Sequence, residues 1–386
     1  MRAVVVTHSS TYESRAEAAG EFFQQKGCET TWICSDFDHL RKKTVKREKD
    51  HHVYLHMRPY ASNLSVRRLL SIRDFSLEVE KYLEDLYAAG KGPDLLYVLI
   101  PANTLAAAAG RLHAKYGVRV IFDLIDLWPE SLPLKRVASL PPVVYWRNLR
   151  DDNLDAADMI CTECAMYQRE LHLNPEKSRT LYWFKDSASP QNAGCQEVAD
   201  ESGTLGIAYM GAVNHIIDIP LIVSILLAVN SRTKVCLHVI GEGDRKAGFV
   251  KALCEAGIPF ADHGAVYAER EKAAILSGCR FGINVMKESV HVGLTMKSID
   301  YLSFGLPLIN TIGGDTWDFV EKCGIGVNVD RRCIDRGAED ILRLADTDRQ
   351  ILSAKARAVY QAHFTRASFD HTLEECYGAW TDASGG

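Results

Sequence analysis

Short runs of apolar and β-branched residues alternate with longer amphipathic stretches along most of this 386-residue chain. In the first half, the apolar runs that predict strands lie at residues 3–7, 30–34, 52–56, 95–100, 120–125, 159–163 and 179–183. Helical spacing of the apolar positions predicts helices between several of them, at residues 14–26, 66–90 and 103–116. Continuous apolar strands separated by helices indicate a parallel sheet that is covered on both faces.

The same alternation restarts in the second half, with strands predicted at residues 206–211, 235–241, 279–286, 307–310 and 325–329. Between the halves, residues 185–204 are rich in Ser, Ala, Gly and acidic residues without a period, which predicts a linker. We therefore predict an α/β protein of two doubly wound, Rossmann-like domains, at residues 1–190 and 191–364. A C-terminal helix within 365–386 is expected to pack back on the first domain. Ligands bind at the carboxyl ends of parallel strands, so we expect the site in the cleft between two facing domains.

Composition narrows the classes of protein that remain. The formal net charge of −5 provides no global basic field for nucleic acid. Eleven cysteines without regular spacing favour reduced thiols in a cytoplasmic protein. The apolar run near the N-terminus is too short for a signal peptide, and the longest apolar segment, 219–229, is shorter than a bilayer span. We expect no transmembrane helix.

The segment VHVGLTMKSIDYLSFGLPLIN, residues 290–310, follows a predicted strand and carries the most informative chemistry. It predicts a helix from about Thr295 to Phe304, ended by Gly305 and Pro307. The N-terminus of a helix suits an anion, because its first N–H groups are unpaired and the helix dipole is positive there. Gly293 would allow close approach of the backbone, Thr295 would cap the helix or donate to a phosphate, and Lys297 would add a point charge.

Asp300 follows Lys297 by one turn and is suited to accept hydrogen bonds from a ribose diol. A diphosphate at Lys297 and a ribose at Asp300 together indicate a nucleoside diphosphate. The alternative is an ordinary surface Lys–Asp pair, which is common and weak. A second loop, Gly241-Glu242-Gly243, lies between a strand and a helix; it is either a phosphate-site loop or only a tight turn.

The strand, the Gly-Glu-Gly-Asp loop and the segment 290–310 together resemble the donor domain of glycosyltransferase family 4 (group 1), of the bacterial capsular or exopolysaccharide type. The resemblance implies the GT-B fold, with two Rossmann-like domains facing a cleft. It implies that Asp300 binds the ribose hydroxyls and that Lys297 and the backbone of Leu294 and Thr295 hold the diphosphate. It also implies that Gly264 and Val266, after a short strand, contact the base.

The first half carries the same resemblance. FDLIDLWPES at 122–131 looks like a segment of the polysaccharide members of the family, and 157–171 looks like the strand–helix step before their linker. The resemblance places His8, Ser9 and Ser10 on the acceptor side, together with Asp126 and Glu130. We take Asp126, Lys297 and His291 as the candidate catalytic residues.

Three positions depart from the family pattern. The family usually has two Glu residues separated by seven positions, and the first of them contacts the donor sugar. Val292, beside His291, replaces that first Glu. Asn214 and His215 stand where a basic pair is usual, and Ile125 replaces an Arg or His. Lys297 and the helix dipole must therefore carry more of the phosphate charge.

Other patterns have simpler interpretations. The Asp36-Phe37-Asp38 motif is expected to be a turn, and no metal is expected at it. Cys161 and Cys164 lack a second pair or a histidine cluster, so two unlinked thiols are expected rather than zinc. The basic runs at 41–49 and 65–73 are expected to contact an anionic membrane surface, although most such runs are solvated faces.

The sequence thus predicts a glycosyltransferase that moves a sugar from a nucleoside diphosphate sugar, with UDP expected, to a glycan or undecaprenyl-type lipid-linked acceptor. It would require no cofactor or metal, and it would lie peripherally on the inner face of the cell membrane. The resemblance implies retention of the anomeric configuration. Two alternatives stay open: a nucleotide-sugar 2-epimerase of the same fold, and a non-catalytic nucleotide- or sugar-binding partner subunit.

Overall fold

The structure is a computed structural model that describes residues 1–63, 65–132, 134, 137–185 and 203–382, with side chains up to 378. It divides into two compact units. The first unit comprises Met1–Tyr182 and the chain from Asp370 onward, and the second comprises Trp183–Phe369. The domain boundary predicted at 190 and most of the predicted linker lie outside the described residues.

The first unit is built around a parallel sheet. Its strands are β1 (Arg2–Thr7), β2 (Glu29–Ser35), β3 (Phe37–Asp38), β4 (Lys43–Thr44), β5 (His52–Leu55), β6 (Leu95–Ile100), β7 (Arg119–Leu124), β8 (Met159–Thr162) and β9 (Ser178–Thr180). Its helices are α1 (Glu13–Gln25), α2 (Val66–Ala88), α3 (Asn103–Tyr116), α4 (Pro141–Asp151) and α5 (Ala165–Glu170).

Among the described residues, seven of these strands form one sheet in the order β5-β2-β1-β6-β7-β8-β9, with parallel neighbours throughout. All six residues of the central β6 are buried, which agrees with helices covering both faces. The short strands β3 and β4 form a separate antiparallel pair.

The second unit repeats this architecture. Its strands are β10 (Leu205–Met210), β11 (Val235–Ile240), β12 (Phe260–Gly264), β13 (Phe281–Asn284), β14 (Leu308–Asn310) and β15 (Gly326–Asn328). Its helices are α6 (Ile219–Asn230), α7 (Lys246–Glu255), α8 (Glu269–Ser277), α9 (Met296–Ser303), α10 (Asp315–Cys323), α11 (Ile334–Ala345) and α12 (Arg349–His363). Within the described residues, the sheet order is β12-β11-β10-β13-β14-β15, again parallel throughout.

The predicted α/β class with doubly wound sheets is confirmed. The apolar run at 279–286 contributes only Phe281–Asn284 to the sheet, because Val285 and Met286 leave it for the following loop while staying buried. The stretch expected as a turn around Asp36 and Asp38 begins the β3–β4 hairpin. The Asp38 carboxylate there accepts hydrogen bonds from the backbone of Leu40 and Arg41.

The last helix, α13 (Arg366–Asp382), spans the boundary between the units. Within the first unit, its Cys376 Sγ lies 3.6 Å from the Sγ of Cys161 in β8, and both thiols are buried. Lys26, directly after α1, forms an ion pair with Glu374. The later part of α13 therefore packs on the first unit.

Among the described residues, no three His, Cys, Asp or Glu side chains are grouped as metal ligands. Within the same ranges, none of the helices has the length and apolarity needed to cross a bilayer.

A buried ion pair joins α1 to the centre of the first sheet. Arg15 donates from Nε to Asp123 Oδ2 at 2.7 Å and from Nη2 to Asp123 Oδ1 at 2.8 Å. Arg15 also donates to the Leu181 carbonyl, and Tyr97 donates its hydroxyl to Asp123. Both charged side chains are fully buried, so neither can be replaced alone without leaving an uncompensated charge.

We expect Arg15→Met to destabilise the first unit by about 3–5 kcal/mol, because it leaves Asp123 charged and buried. Lys115→Met breaks the exposed pair with Glu84 and should cost less than about 1 kcal/mol. Urea denaturation followed by circular dichroism measures both. Equal stability of the two variants would show that the buried pair is dispensable.

Candidate functional site

The carboxyl edge of the second sheet brings three strand-following loops together through backbone hydrogen bonds. Gly241, after β11, donates its N–H to the Gly264 carbonyl at the end of β12, at 2.7 Å. Gly211, after β10, donates to the Ile240 carbonyl at 2.8 Å, and Val213 donates to the Glu242 carbonyl at 2.9 Å. The loops therefore continue the parallel pairing beyond the strands.

This close pairing explains the glycines of the Gly-Glu-Gly loop. A Cβ on Gly241 would lie 2.2 Å from the Gly211 carbonyl oxygen, and one on Gly243 would lie 2.1 Å from the Val213 carbonyl oxygen. Both glycines also have positive φ, at 149° and 154°. Neither position accepts a larger side chain without movement of the neighbouring backbone.

The helix predicted at 295–304 is confirmed as α9, and its N-terminus is held by a polar network. The Thr295 side chain caps the helix by accepting from the Ser298 N–H. Asn284, at the end of β13, donates from its side chain to the hydroxyls of Thr295 and Ser298. Of the two roles expected for the Thr295 hydroxyl, the structure shows the cap. The Gly293 carbonyl accepts from the N–H and hydroxyl of Thr316, which fixes the preceding loop.

Tyr301 attaches the other face of α9 to the sheet. Its buried hydroxyl accepts from the Met210 N–H at 2.7 Å and donates to the Ala208 carbonyl at 3.1 Å. Gly305 ends the helix as predicted, with φ of 71°. The register of α9 against β10 is thereby fixed, and with it the position of Lys297.

Lys297 is a half-buried cation for which the described residues provide no carboxylate. Its Nζ donates to the Tyr209 hydroxyl at 2.8 Å and lies 4.2 Å from the centre of the Tyr209 ring. Its Cε approaches Gly211 so closely that a Cβ there would lie at 2.9 Å. Burial lowers the pKa of Lys297 to about 7.

The arrangement around Lys297 favours an anion. The first N–H groups of α9 lack partners within the helix, and the positive end of its dipole adds to the lysine charge. Tyr209 contributes a hydroxyl and a ring face but no negative charge. An anionic ligand would supply the counter-charge that the described part of the protein does not.

Asp300 has a partner that the sequence pattern did not reveal. Its Oδ1 accepts from Lys185 Nζ at 2.7 Å, and Lys185 also reaches Glu269 at 3.4 Å. Burial lowers the pKa of Lys185, but the hydrogen bond and charge of Asp300 outweigh it and raise the pKa overall. The pair joins residues 115 positions apart in the chain, so spacing within the helix could not have shown it.

The remaining predicted donor residues lie around this edge. Glu242 accepts from Lys246 at 2.7 Å, and Lys246 also pairs with Asp262 in β12. Val266 is buried, Leu294 is buried and His291 is half-buried in the loop before α9. Val292, at the position where the resemblance led us to expect a Glu, packs with Val290 against the hydrophobic core of the second unit.

The predicted acceptor-side residues lie at the carboxyl ends of β1 and β7 in the first unit. Ser9 caps a short 3-10 turn by accepting from the Thr11 N–H, and Ser10 Oγ accepts from the His39 N–H at 3.2 Å. Their hydroxyls therefore have local structural roles. His8 is fully buried, and neither of its ring nitrogens has a hydrogen-bond partner among the described residues.

Asp126 and His8 both contact Trp128. The Trp128 indole N–H donates to Asp126 Oδ2 at 2.7 Å, and the Trp128 and His8 rings lie 6.3 Å apart, edge to face. Glu130 is instead bound by the fully buried Arg150 through two hydrogen bonds of 3.1 Å. Arg150 also donates to the Trp128 carbonyl, so Glu130 helps to fix this loop.

No family model and no curated protein matches the sequence. Solved structures do match over nearly the whole chain, at low identity. The N-terminal domain of Candida albicans trehalose-6-phosphate phosphatase has a TM-score of 0.68 at 13% identity, over 98% of this chain and 97% of that chain. The lipopolysaccharide outer core galactosyltransferase WaaB, in its apo form, has a TM-score of 0.67 at 12% identity, over 98% and 99%.

Anabaena HepE in complex with UDP also has a TM-score of 0.67, at 11% identity, over 98% of this chain and 100% of that chain. At such identities the likeness shows the fold, and that fold is GT-B, as predicted.

The lowered pKa of Lys297 predicts a pH-dependent stability in the ligand-free protein. Its folded pKa of about 7 lies below the unfolded value of about 10.4, so between them the unfolded chain binds more protons. Stability should therefore rise from pH 7 toward pH 10, by at most about 1.4 kcal/mol per pH unit. Lys297→Met should remove this contribution.

The test is the difference in melting temperature between wild type and Lys297→Met at pH 7 and at pH 9. The melting temperature of the wild type should increase relative to that of the variant as the pH rises. Lys322→Met, at an exposed lysine on α10, serves as the control and should show the same difference at both pH values. An unchanged difference for Lys297→Met would show that its ammonium is well solvated.

Proposed function

We propose that this protein is a glycosyltransferase that moves a sugar from a nucleoside diphosphate sugar to an acceptor, without a required metal or cofactor and with retention of configuration. The observation that carries the proposal is Lys297, a half-buried ammonium without a carboxylate partner in the described residues, at the N-terminus of α9. Such a site suits the diphosphate of a donor, and the carboxyl edge of a parallel sheet is where α/β proteins bind ligands.

The donor would be held at two points along α9. The diphosphate would accept from Lys297 and from the first N–H groups of the helix, and its charge would raise the pKa of Lys297 again. Asp300, one turn later, would accept from the ribose hydroxyls. Its ion pair with Lys185 fixes the orientation of the carboxylate.

Charge grows on the diphosphate as the bond to the sugar breaks. Lys297 and the helix N-terminus would stabilise that charge, which makes them part of the chemical step rather than of binding alone. UDP is the first nucleotide to test, because the GT-B neighbour HepE is known in complexes with UDP and with UDP-glucose. Val292 leaves no carboxylate for the donor sugar at that position, so His291 is the candidate for that contact.

On the acceptor side we propose that Asp126 binds the attacking hydroxyl or takes its proton. It lies after β7, where its carboxylate also accepts from the Trp128 indole. The proposed acceptor is a glycan, carried on an undecaprenyl-type lipid, in bacterial polysaccharide synthesis. The galactosyltransferase WaaB among the neighbours supports an acceptor of that general kind.

A lipid-linked acceptor requires contact with a membrane, and the first unit offers a mixed apolar and basic surface. Near the start of α2, Val66, Leu69 and Leu70 are exposed apolar side chains, with exposed fractions of 72%, 37% and 42%. Arg67 and Arg73 are exposed on the same helix. An anionic bilayer surface matches both the apolar and the basic side chains.

The basic run at 41–49 is a weaker candidate for the membrane contact than the start of α2. Four of its basic residues form ion pairs with nearby carboxylates: Arg41 with Asp38, Lys46 with Glu48, Arg47 with Glu13, and Lys49 with Glu17. These carboxylates reduce the attraction of the run for an anionic surface. The start of α2 is therefore the proposed contact.

Lys297 and Asp300 should fail in different ways in steady-state kinetics. Lys297→Ala should lower kcat by on the order of 10²–10³, because it removes a donor that faces growing charge. Asp300→Ala should mainly raise the donor KM, by roughly 10- to 150-fold, because ribose charge does not change in the reaction. Met296→Ala, at the exposed neighbour on α9, is the control and should leave both constants within about twofold.

The assay follows nucleotide release and sugar product from a panel of UDP- and GDP-sugars. A transferase releases nucleotide slowly without acceptor, a 2-epimerase returns an epimer that still carries its nucleotide, and a binding partner does neither. If Lys297→Ala and Asp300→Ala both behave like the control, the donor site lies elsewhere.

Membrane contact is tested by co-sedimentation with phosphatidylglycerol vesicles at low ionic strength. The double variant Leu69→Ser/Leu70→Ser should bind at least about tenfold more weakly, since burying each leucine contributes about 1.5 kcal/mol or more. Leu77→Ser, at an exposed leucine two turns further along α2, should bind like wild type. Equal binding by all three proteins would rule out the start of α2 as the contact.

A further inference from the structure

A second group of cations lies in the first unit, next to the predicted acceptor residues. It consists of Lys42 and Arg68, surrounded by the rings of His8, His39, Tyr60 and Trp128, and we call it the Arg68 pocket. Among the described residues, neither Lys42 nor Arg68 forms an ion pair with a carboxylate. The donor chemistry proposed above uses none of these six side chains.

Arg68 is held in a fixed position. Its guanidinium carbon lies 4.4 Å from the centre of the Trp128 ring and 5.7 Å from that of Tyr60. Its Nη1 donates to the Asn63 carbonyl at 2.9 Å, while its Nε is buried without a partner in the described residues. Stacked on an aromatic face, a guanidinium keeps its planar fork in one orientation and retains N–H groups for a ligand.

Lys42 is directed to the same place. Its Nζ lies 4.7 Å from the centre of the Tyr60 ring and donates to the side chain of Asn63. Its backbone adopts a φ of 57°, a conformation that lysine rarely takes. Burial, with the nearby charge of Arg68, lowers the pKa of Lys42, so the two cations repel one another across the pocket.

The two histidines add neutral polar groups rather than negative charge. His39 donates from Nε2 to the His8 carbonyl at 2.8 Å, and its Nδ1 accepts from the Tyr60 hydroxyl at 2.5 Å. Burial, together with His39 and Arg68, lowers the pKa of His8 well below its usual range, against a smaller opposing effect of the Pro101 carbonyl. His8 is thus a neutral and fully buried imidazole.

Trp128 joins the Arg68 pocket to Asp126, the residue proposed to bind the attacking hydroxyl. Arg68 covers one face of its indole, His8 meets it edge to face, and its N–H donates to Asp126. The charges of Asp126 and Arg68 also both act on the pKa of Tyr12, after the larger effect of burial. A ligand on Arg68 would therefore lie beside the Asp126 carboxylate.

We propose that the Arg68 pocket binds the phosphate of a phosphorylated acceptor, through Arg68 and Lys42. The two sources with this chemistry are a sugar phosphate and the diphosphate of a lipid-linked glycan. That the bound molecule is an acceptor rests on the proposed function; that the pocket binds a phosphate does not.

Two cations without a carboxylate partner in the described residues match the charge of a phosphate group better than that of a single carboxylate. Arginine presents a rigid fork to two phosphate oxygens, and lysine adds a point charge. The alternative is that both are ordinary solvated surface cations. Lys43, next to Lys42 in the chain, and Lys81, on the same helix as Arg68, are exposed and supply that comparison.

The test measures phosphate binding by isothermal titration calorimetry in a Lys297→Met background, which removes the lysine of the donor site. The probes are glucose 6-phosphate and farnesyl diphosphate, with phosphatidylglycerol vesicles as a third arm. Lys42→Met/Arg68→Met should lower the affinity for the bound probe by at least about 100-fold, or tenfold for each charge-assisted hydrogen bond. Lys43→Met/Lys81→Met removes the same charge and should change the affinity by less than about threefold.

Arg68→Lys should lose about tenfold, because it keeps the charge but not the fork or the stacking. Binding of glucose 6-phosphate alone supports a soluble sugar phosphate, and binding of farnesyl diphosphate alone supports a lipid-linked diphosphate. Equal losses in the two double variants would overturn the proposal, as would binding to vesicles only or to no probe. Melting temperatures of all variants confirm that they remain folded.

This measurement is independent of the donor reaction. If the probes bind as expected and no nucleotide sugar is turned over, phosphate binding by the Arg68 pocket is supported and the proposed glycosyltransferase function is wrong. If nucleotide sugars are turned over and the two double variants do not differ in affinity, the proposed function is supported and phosphate binding by the Arg68 pocket is wrong.

Discussion

Parallel strand pairing is the constraint from which the site in each unit follows. In the described residues, both large sheets are parallel throughout, so the carboxyl ends of all their strands lie at one edge. The loops that carry Gly211, Gly241 and Gly264 meet at that edge because β10, β11 and β12 are neighbours. The same rule brings the residues after β1 and β7 to one edge of the first sheet, although β6 lies between them.

Packing at these edges leaves cations in unusual surroundings. The Lys297 stem lies against Gly211, and its ammonium lies over an aromatic ring, with no carboxylate beside it in the part of the chain that the structure describes. Arg68 and Lys42 likewise lie over Trp128 and Tyr60. Aromatic faces stabilise a cation only partly, so each arrangement keeps a capacity for an anion that an ion pair would have removed.

Other cations are paired with carboxylates. Arg15 with Asp123 and Arg150 with Glu130 fix buried elements of the first unit, and Lys185 orients Asp300 in the second. The contrast matters because a buried charge without a partner costs free energy. Positions where that cost is tolerated are candidates for binding, since a ligand can supply the missing charge.

The sequence by itself determined the α/β class, most strands, and the helix from Thr295 with its Gly305 stop, because apolar periodicity and capping are local properties of the chain. It also singled out Lys297. Tertiary structure decided what each polar group does: Thr295 caps, Asp300 pairs with distant Lys185, and Val292 packs on the core. It alone placed Arg68 over Trp128, sixty positions away in the chain, because contacts between loops depend on strand order, which local spacing does not encode.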